Sequence, residues 1–177
     1  MIPLGLPEPT DWIEADVVTN VREHGWHVCM VHGNCEYCAE GDLDHSHDAV
    51  RHDDPRVEAA YAATFAYTVG LTPRYGHPEI LLVGGWSAAG HFLNAVGDLV
   101  RDGHRFSPGD TSTEVLEDYV VRFDDVGVKP RQGLLTLAHW AVHRAYFEAL
   151  QLVLPDRWGR WPEDPEYHGF PQPSQAD

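Results

Sequence analysis

Basic residues are scarce in this chain: 12 Lys and Arg stand against 28 Asp and Glu, which gives a formal net charge of −16 at pH 7. Because phosphate backbones are bound by clustered basic side chains, this shortage argues against a nucleic-acid-binding protein. It argues equally against an anionic membrane surface. The sequence also lacks any run of roughly 18 apolar residues, the length that a membrane span needs. We therefore expect neither nucleic acid nor a membrane as a partner.

Two further absences limit the class of protein. Residues 1–11 have neither the basic start nor the apolar stretch of a secretory signal. Three cysteines are too few, and odd in number, for a disulfide framework, so a metal site or free thiols are favoured. Together these features predict a cytoplasmic protein. A length of 177 residues fits a single domain with a core of its own.

The spacing of apolar residues predicts alternating helices and strands without a regular βαβ rhythm. Helices are predicted after Thr10 and Asp11 up to Gly25, from Ser87 to Arg101 and over residues 134–148. Strands are predicted over residues 26–31, 65–71, 79–84, 119–123 and 150–154, and residues 158–177 are predicted to form an irregular tail. This order indicates an α+β fold, one domain with a mixed or mainly antiparallel sheet and about three helices.

The most distinctive chemistry lies in a short segment that contains all three cysteines. Cys29, His32, Cys35 and Cys38 place a thiol or imidazole at every third position. These are ligands that Zn²⁺ prefers, and Cys-x-x-Cys is a spacing that presents two sulfurs to one tetrahedral ion. We predict a structural zinc site with His32, Cys35 and Cys38 as ligands, and with Cys29 or His45 as the fourth. The alternative is that Cys29 belongs to the strand core and the other residues are ordinary thiols and solvated histidines.

The stretch that follows has no apolar period. Residues 32–60 are rich in Asp, Glu, His and Gly, and this composition predicts a long polar loop. Such a loop cannot bury a core of its own. A bound Zn²⁺ would supply folding free energy, on the order of 10 kcal/mol in small zinc peptides. We therefore expect a loop that is stapled by the metal.

A second candidate site lies around two strands. Tyr67 and Thr68 precede a glycine in the first, and His77 and Glu79 flank Pro78 before the second. An imidazole near a carboxylate and a hydroxyl pair can bind a small ligand or move a proton, so these four residues are the candidate catalytic group. The alternative is a strand–turn–strand corner in which the same side chains satisfy backbone groups.

Two other features leave their roles open. His139 and His143 are spaced to lie one turn apart on the predicted helix of residues 134–148, where they would form a second metal site or simply pack. Aromatic residues are frequent near the end of the chain and would line either a small-molecule pocket or a homodimer interface. They are Trp140, Tyr146, Phe147, Trp158, Trp161, Tyr167 and Phe170.

The order of several short motifs resembles a known bacterial family. The motifs are HGWHV at residues 24–28, FAYTVGL at 65–71, GHPEI at 76–80, a Gly-Gly strand end at 84–85, VRDGHRF at 100–106 and LQLVLPDRWGRWP at 150–162. Together they resemble the family catalogued as domain of unknown function 4262, in which the Cys/His/Asp-rich stretch would be an insertion. The resemblance implies no particular activity or cofactor. Two hypotheses follow: a binding or accessory module with structural zinc, or a small enzyme, an oxidoreductase or metal-dependent catalyst, with chemistry near His77 and Glu79.

Overall fold

The structure, a computed structural model, describes residues 5–31, 64–84 and 88–177. These form a six-stranded sheet of order β1-β2-β3-β6-β5-β4. The strands are β1 (His27–Val31), β2 (Phe65–Val69), β3 (Glu79–Val83), β4 (Thr111–Ser112), β5 (Val121–Asp125) and β6 (Ala149–Val153). The helices are α1 (Trp12–His24), α2 (Leu71–Tyr75), α3 (Ala89–Arg101), α4 (Val128–Leu134) and α5 (Thr136–Ala141). The predicted α+β class is confirmed, with five helices in the described residues rather than about three.

The sheet is mixed. β1, β2 and β3 are successive antiparallel neighbours, and β4, β5 and β6 are joined by antiparallel pairing as well. The single change of direction is the parallel pair β3 and β6, in which Glu79 lies opposite Ala149. A parallel neighbour needs a long crossover, and the chain between β3 and β6 supplies it. The described helices are too short or too polar to cross a membrane.

Helix α1 has the ends that its sequence predicts. The Asp11 carboxylate accepts a hydrogen bond of 2.8 Å from the Glu14 amide, which satisfies a free amide of the first turn. Gly25 ends the helix with φ of 105°, a left-handed conformation that glycine adopts at little cost. Val17, Val18 and Val21 form its buried stripe, and Val17 and Val21 pack against residues of the sheet.

One face of the sheet is covered by α3. Leu93, Val96 and Val100 of this helix pack on Ile80 and Leu82 of β3 and on the alternate residues of the neighbouring strands. These buried residues form the first cluster. The Trp26 indole also lies in it, and its Nε1 donates a hydrogen bond of 2.9 Å to Asn94 Oδ1. This contact ties the start of β1 to the middle of α3.

The other face is covered by α1 and α5. The buried residues on this face form the second cluster, which contains Val17 and Val21 from α1 and Ala138 and Ala141 from α5. The strand residues of the cluster are Cys29, Tyr67, Val69, Leu81, Val83 and Ala149. Because side chains alternate along a strand, these residues are the neighbours of those that pack under α3.

Beyond β6 the chain contains no further helix or strand, and its last residues are hydrogen-bonded to β6 and to Leu154. The Gln172 amide accepts a hydrogen bond from Leu154 N at 2.9 Å and donates one to Leu154 O at 2.8 Å. Gln151 of β6 donates to Pro173 O at 3.1 Å and accepts from Gln175 N at 3.0 Å. Side-chain amides thus hold the tail in place of a strand ladder.

The predicted helix of residues 134–148 is wrong in its extent. The chain forms α4 and α5 instead, and His143 and Arg144 then adopt left-handed conformations with φ of 56° and 60°. The turn is required because β6 begins at Ala149 in the middle of the sheet and Phe147 fills the second cluster. Tertiary burial therefore ends a helix that local spacing would continue.

This turn separates the two histidines that the helical spacing placed together. His139 Nε2 lies 2.9 Å from Arg144 O, whereas His143 lies beyond the helix end and its Nε2 contacts Gly5 O. The two imidazoles therefore do not lie one turn apart on one helix, so the expected placement is wrong, and a role of the pair in metal binding stays open.

Candidate functional site

The second candidate site, around β2 and β3, is centred on the buried carboxylate of Glu79. Its side chain is 1% exposed and accepts four hydrogen bonds. Thr68 Oγ1 and the Leu71 amide donate to Oε2 at 2.7 and 3.3 Å, and the Gly70 and Thr72 amides donate to Oε1 at 3.0 and 2.9 Å. Three of the donors are backbone amides at the start of α2, so the carboxylate satisfies groups that a helix N-terminus leaves free.

The hydrogen bonds of Glu79 all run toward its carboxylate oxygens. Thr68 Oγ1 accepts a hydrogen bond of 2.9 Å from the Ile80 amide, so its own proton is directed to Glu79. All four partners of the carboxylate are therefore donors, the set that an ionised acceptor matches. The pKa of Glu79 is raised overall, because burial outweighs the hydrogen bonds from Thr72, Thr68, Gly70 and Leu71 that lower it.

His77 faces a different part of the fold. Its Nε2 accepts a hydrogen bond of 3.0 Å from the Phe106 amide, and its Nδ1 lies 2.7 Å from Pro78 O. An accepting Nε2 and a donating Nδ1 make the imidazole neutral. Burial, the largest effect, and the Arg105 guanidinium lower the pKa of His77, while the Pro78 contact raises it. The residue fastens the loop after α3 to the turn before β3.

The lowered pKa of His77 predicts a stability that decreases in acid. The unfolded chain binds the proton more tightly, so this contribution is complete above the unfolded pKa of about 6.5 and is lost as the pH falls through the folded pKa. One proton contributes at most about 1.4 kcal/mol per pH unit. Urea unfolding at several pH values between neutral and mildly acidic should give a smaller acid loss for H77Q than for the natural chain.

His24 provides the control for this measurement. Its side chain is 66% exposed at the end of α1, beside Glu23. The H24Q variant should keep the pH dependence of the natural chain. Identical pH dependence in H77Q and the natural chain would contradict the assignment of a buried neutral imidazole.

Tyr67 and Cys29 lie opposite each other in the β1–β2 register and point into the second cluster. The Leu137 amide donates to the Tyr67 hydroxyl at 3.4 Å, and the Cys29 thiol lies beside the same hydroxyl. Burial raises the pKa of Cys29 to about 11 and also raises that of Tyr67. Both groups are therefore protonated at neutral pH.

The structure brings together only part of the predicted catalytic group. Thr68 and Glu79 are in direct contact, whereas His77 is bonded to Phe106 and Tyr67 lies in the cluster under α1 and α5. A catalytic role for the four residues stays a prediction. The contacts that they make are those of the alternative, a corner in which side chains satisfy backbone groups.

Most of the predicted zinc ligands lie outside the described residues. His32, Cys35, Cys38 and His45 belong to that part of the chain, and Cys29 is a buried free thiol. Over residues 5–31, 64–84 and 88–177, no group of three His, Cys, Asp or Glu side chains is arranged to hold a metal ion. The zinc site thus stays a prediction.

Sequence reasoning missed two partners of the site. The segment between β2 and β3, predicted as a turn, contains α2, whose amides bind Glu79, and the Phe106 amide binds His77. Pro73 in the first turn of α2 and Gly76 after its end are the signals that could have indicated this helix. No local signal indicates the contact of Phe106 with a residue so distant in sequence.

Comparison with known proteins gives a family and no activity. No curated protein and no solved structure matches the chain. A family model matches residues 20–168, a range that contains the six strands of the described residues and the carboxylate network of Glu79. The resemblance of the short motifs is thereby confirmed, and the chain belongs to the family described as domain of unknown function (DUF4262).

Proposed function

We propose that this protein is a binding or accessory module, in which one structural Zn²⁺ orders the Cys/His-rich stretch between β1 and β2. The observation that carries the proposal is the base of that connection. Val31 and Phe65 are Cα partners in the antiparallel register, so the intervening chain leaves and rejoins the sheet at neighbouring positions. Hairpin connections usually have 2–5 residues. The polar connection here is far longer, and its two ends lie at neighbouring positions of the sheet. A metal ion bound within such a connection would contribute most to its stability.

The contacts of Glu79, Thr68 and His77 support a binding or accessory module rather than a catalyst at this site. Glu79, Thr68 and His77 are each 1% exposed or less, and their polar atoms bind groups of the fold. A general base must reach a substrate proton by a hydrogen bond or through one water. Side chains that are buried and bound in this way instead stabilise the corner between β2, α2 and β3.

The environment of Cys29 bears on the fourth ligand. A zinc-bound cysteine is a thiolate, and burial raises the pKa of Cys29 to about 11 beside Tyr67. Its side chain belongs to the cluster that also contains Val17 and Leu81. Binding of Cys29 would require both deprotonation and removal from that cluster. We therefore assign His45 as the fourth ligand, with His32, Cys35 and Cys38.

Metal analysis of the protein purified under reducing, chelator-free conditions tests the proposal. We expect about one zinc per chain that survives dialysis, since structural sites are four-coordinate and closed. The C35S/C38S and H45Q variants should lose the zinc and unfold at a lower temperature. The matched control is C29S, which removes a cysteine of the same segment and should keep the zinc.

Four results would contradict the proposal or part of it. Absence of zinc in the natural protein would reject the ligand assignment. Unchanged thermal stability of the C35S/C38S variant would reject the structural role, and loss of zinc in C29S would make Cys29 the fourth ligand in place of His45. A visible flavin, haem or iron spectrum would favour an enzyme over a module.

A further inference from the structure

Arg131 in α4 differs from the other arginines of the described residues. It is 6% exposed, the only buried one among them. Arg122 contacts Asp124 and Glu163, and Arg160 contacts Asp156 and Glu166. The Arg131 guanidinium has no hydrogen bond or ion pair with any group in the described ranges, although the chain holds 28 acidic residues. Burying a charge without a counter-charge costs free energy of desolvation, so the position of Arg131 requires an explanation.

Two aromatic rings hold this guanidinium in place. Its central carbon lies 4.8 Å from the Tyr146 ring centroid and 5.9 Å from that of Phe147. These distances are those of cation–π contacts, in which the ring face attracts the positive charge of the guanidinium. Phe147 is buried in the second cluster, whereas Tyr146 is 74% exposed. One ring therefore anchors the cation and the other borders solvent.

The nitrogens of the Arg131 guanidinium are not completely sealed from solvent. In the described part of the chain, no buried side-chain nitrogen or oxygen lacks a hydrogen-bond partner. Since no described group accepts from the Arg131 guanidinium, its nitrogens must account for part of the small exposed fraction of the residue. The result is a nearly buried cation whose nitrogens are partly exposed and lie beside an exposed aromatic ring.

We propose that Arg131 and Tyr146 form a binding site for a small organic carboxylate. The planar guanidinium donates two parallel N–H groups that match the two oxygens of a carboxylate. Tyr146 offers an exposed ring that an apolar part of the ligand can contact. The net charge of −16 repels anions at long range, which favours a singly charged carboxylate over a phosphate.

The turn after α5 creates this site. The left-handed residues His143 and Arg144 reverse the chain and carry Tyr146 and Phe147 back over α4. Left-handed conformations are strained for residues other than glycine, and such strain is often found where a binding site is shaped. This site goes beyond the proposed function, because neither the zinc ligands nor Glu79 takes part in it.

Titration of the zinc-containing protein with sodium benzoate at constant ionic strength tests the inference. The probe is benzoate, a planar monocarboxylate, and sodium phosphate serves as the comparison anion. In ¹H–¹⁵N spectra, the Nε–Hε resonance of Arg131 and the amide of Tyr146 should shift and saturate with benzoate. The same titration with phosphate should shift them much less.

Three variants locate the binding. R131Q should weaken benzoate binding by about tenfold or more, because both charge-assisted hydrogen bonds are lost. R131K, which keeps the charge and loses the planar fork, should fall between R131Q and the natural chain. The matched control is R157Q, since Arg157 also stacks on an aromatic ring, 3.8 Å from the Trp158 centroid, and should bind benzoate as the natural chain does.

Several results would overturn the site. They are the absence of a saturable shift at Arg131 in the natural protein, unchanged benzoate affinity in R131Q, and a saturable response to phosphate without one to benzoate. If R131Q does not fold, the Arg131 resonance of the natural protein decides the question. Loss of zinc in the C35S/C38S variant has no bearing on this site, so the two proposals succeed or fail separately.

Discussion

Substituting Glu79 by glutamine should lower the free energy of unfolding by about 3 kcal/mol, although the two side chains have nearly the same shape. The carboxylate accepts from Thr68 Oγ1 and from the Gly70, Leu71 and Thr72 amides. In glutamine one oxygen becomes an NH₂ group that faces donors and can accept from none of them. Each buried donor left without a partner costs about 1–3 kcal/mol. Urea unfolding of E79Q at neutral pH measures the loss.

Glu148 provides the matched control. It is exposed, and its backbone oxygen accepts from the Glu79 amide at 2.9 Å, so E148Q makes the same chemical change beside the same strand end. E148Q should lie within about 0.5 kcal/mol of the natural chain. Equal stability of E79Q and E148Q would show that the buried carboxylate does not hold the start of α2.

Substituting Gly97 by alanine should lower stability by about 2 kcal/mol, the reverse of what helix propensity predicts. Inside a helix, alanine is normally better than glycine by about 1 kcal/mol. A Cβ at Gly97, however, would lie 2.5 Å from Cζ2 and 2.8 Å from Cδ2 of the Trp26 indole. The ring is held by Asn94 and packed in the first cluster, so α3 would have to move away from the sheet. Thermal or urea unfolding of G97A measures the effect.

Gly90 is the control within the same helix. A Cβ at this position meets nothing within 4 Å, so G90A should be neutral or more stable by up to about 1 kcal/mol. The pair separates the two effects, because both substitutions gain the same propensity and only one meets the indole. A G97A variant as stable as G90A would contradict the close packing of α3 on Trp26.

The elements with complete local signals could be predicted from the sequence. For α1, Asp11 marks the start, Gly25 the end and three valines the buried stripe, and all three signals agree with the structure. β2 and β3 were predicted from their apolar, β-rich runs.

Residues 134–148 also have helical spacing, yet the chain turns at His143 and Arg144 because Phe147 and β6 are buried in the sheet. Spacing alone could not indicate this, since the burial involves distant residues.

The candidate site divides in the same way. Thr68 and Glu79 could be predicted to lie close, because two strands joined by a short connection are usually neighbours, and they are in contact. The Glu79 carboxylate accepts hydrogen bonds from the amides at the start of α2. This helix lies where the sequence predicted a turn, so the contact could not be predicted. For His77, the decisive partner is the Phe106 amide beyond α3, which no spacing connects to it.

By itself, the sequence determined the α+β class, the family and the residue types that carry chemistry, because these follow from composition, apolar spacing and motif order. Only the tertiary structure decided which polar groups are already bound within the fold and which remain free. Glu79 and His77 accept hydrogen bonds from backbone amides, whereas the Arg131 guanidinium contacts two aromatic rings and has no acceptor among the described residues. The physical reason is that a hydrogen-bonding group is satisfied by whatever folding brings near it, and those neighbours come from distant parts of the chain.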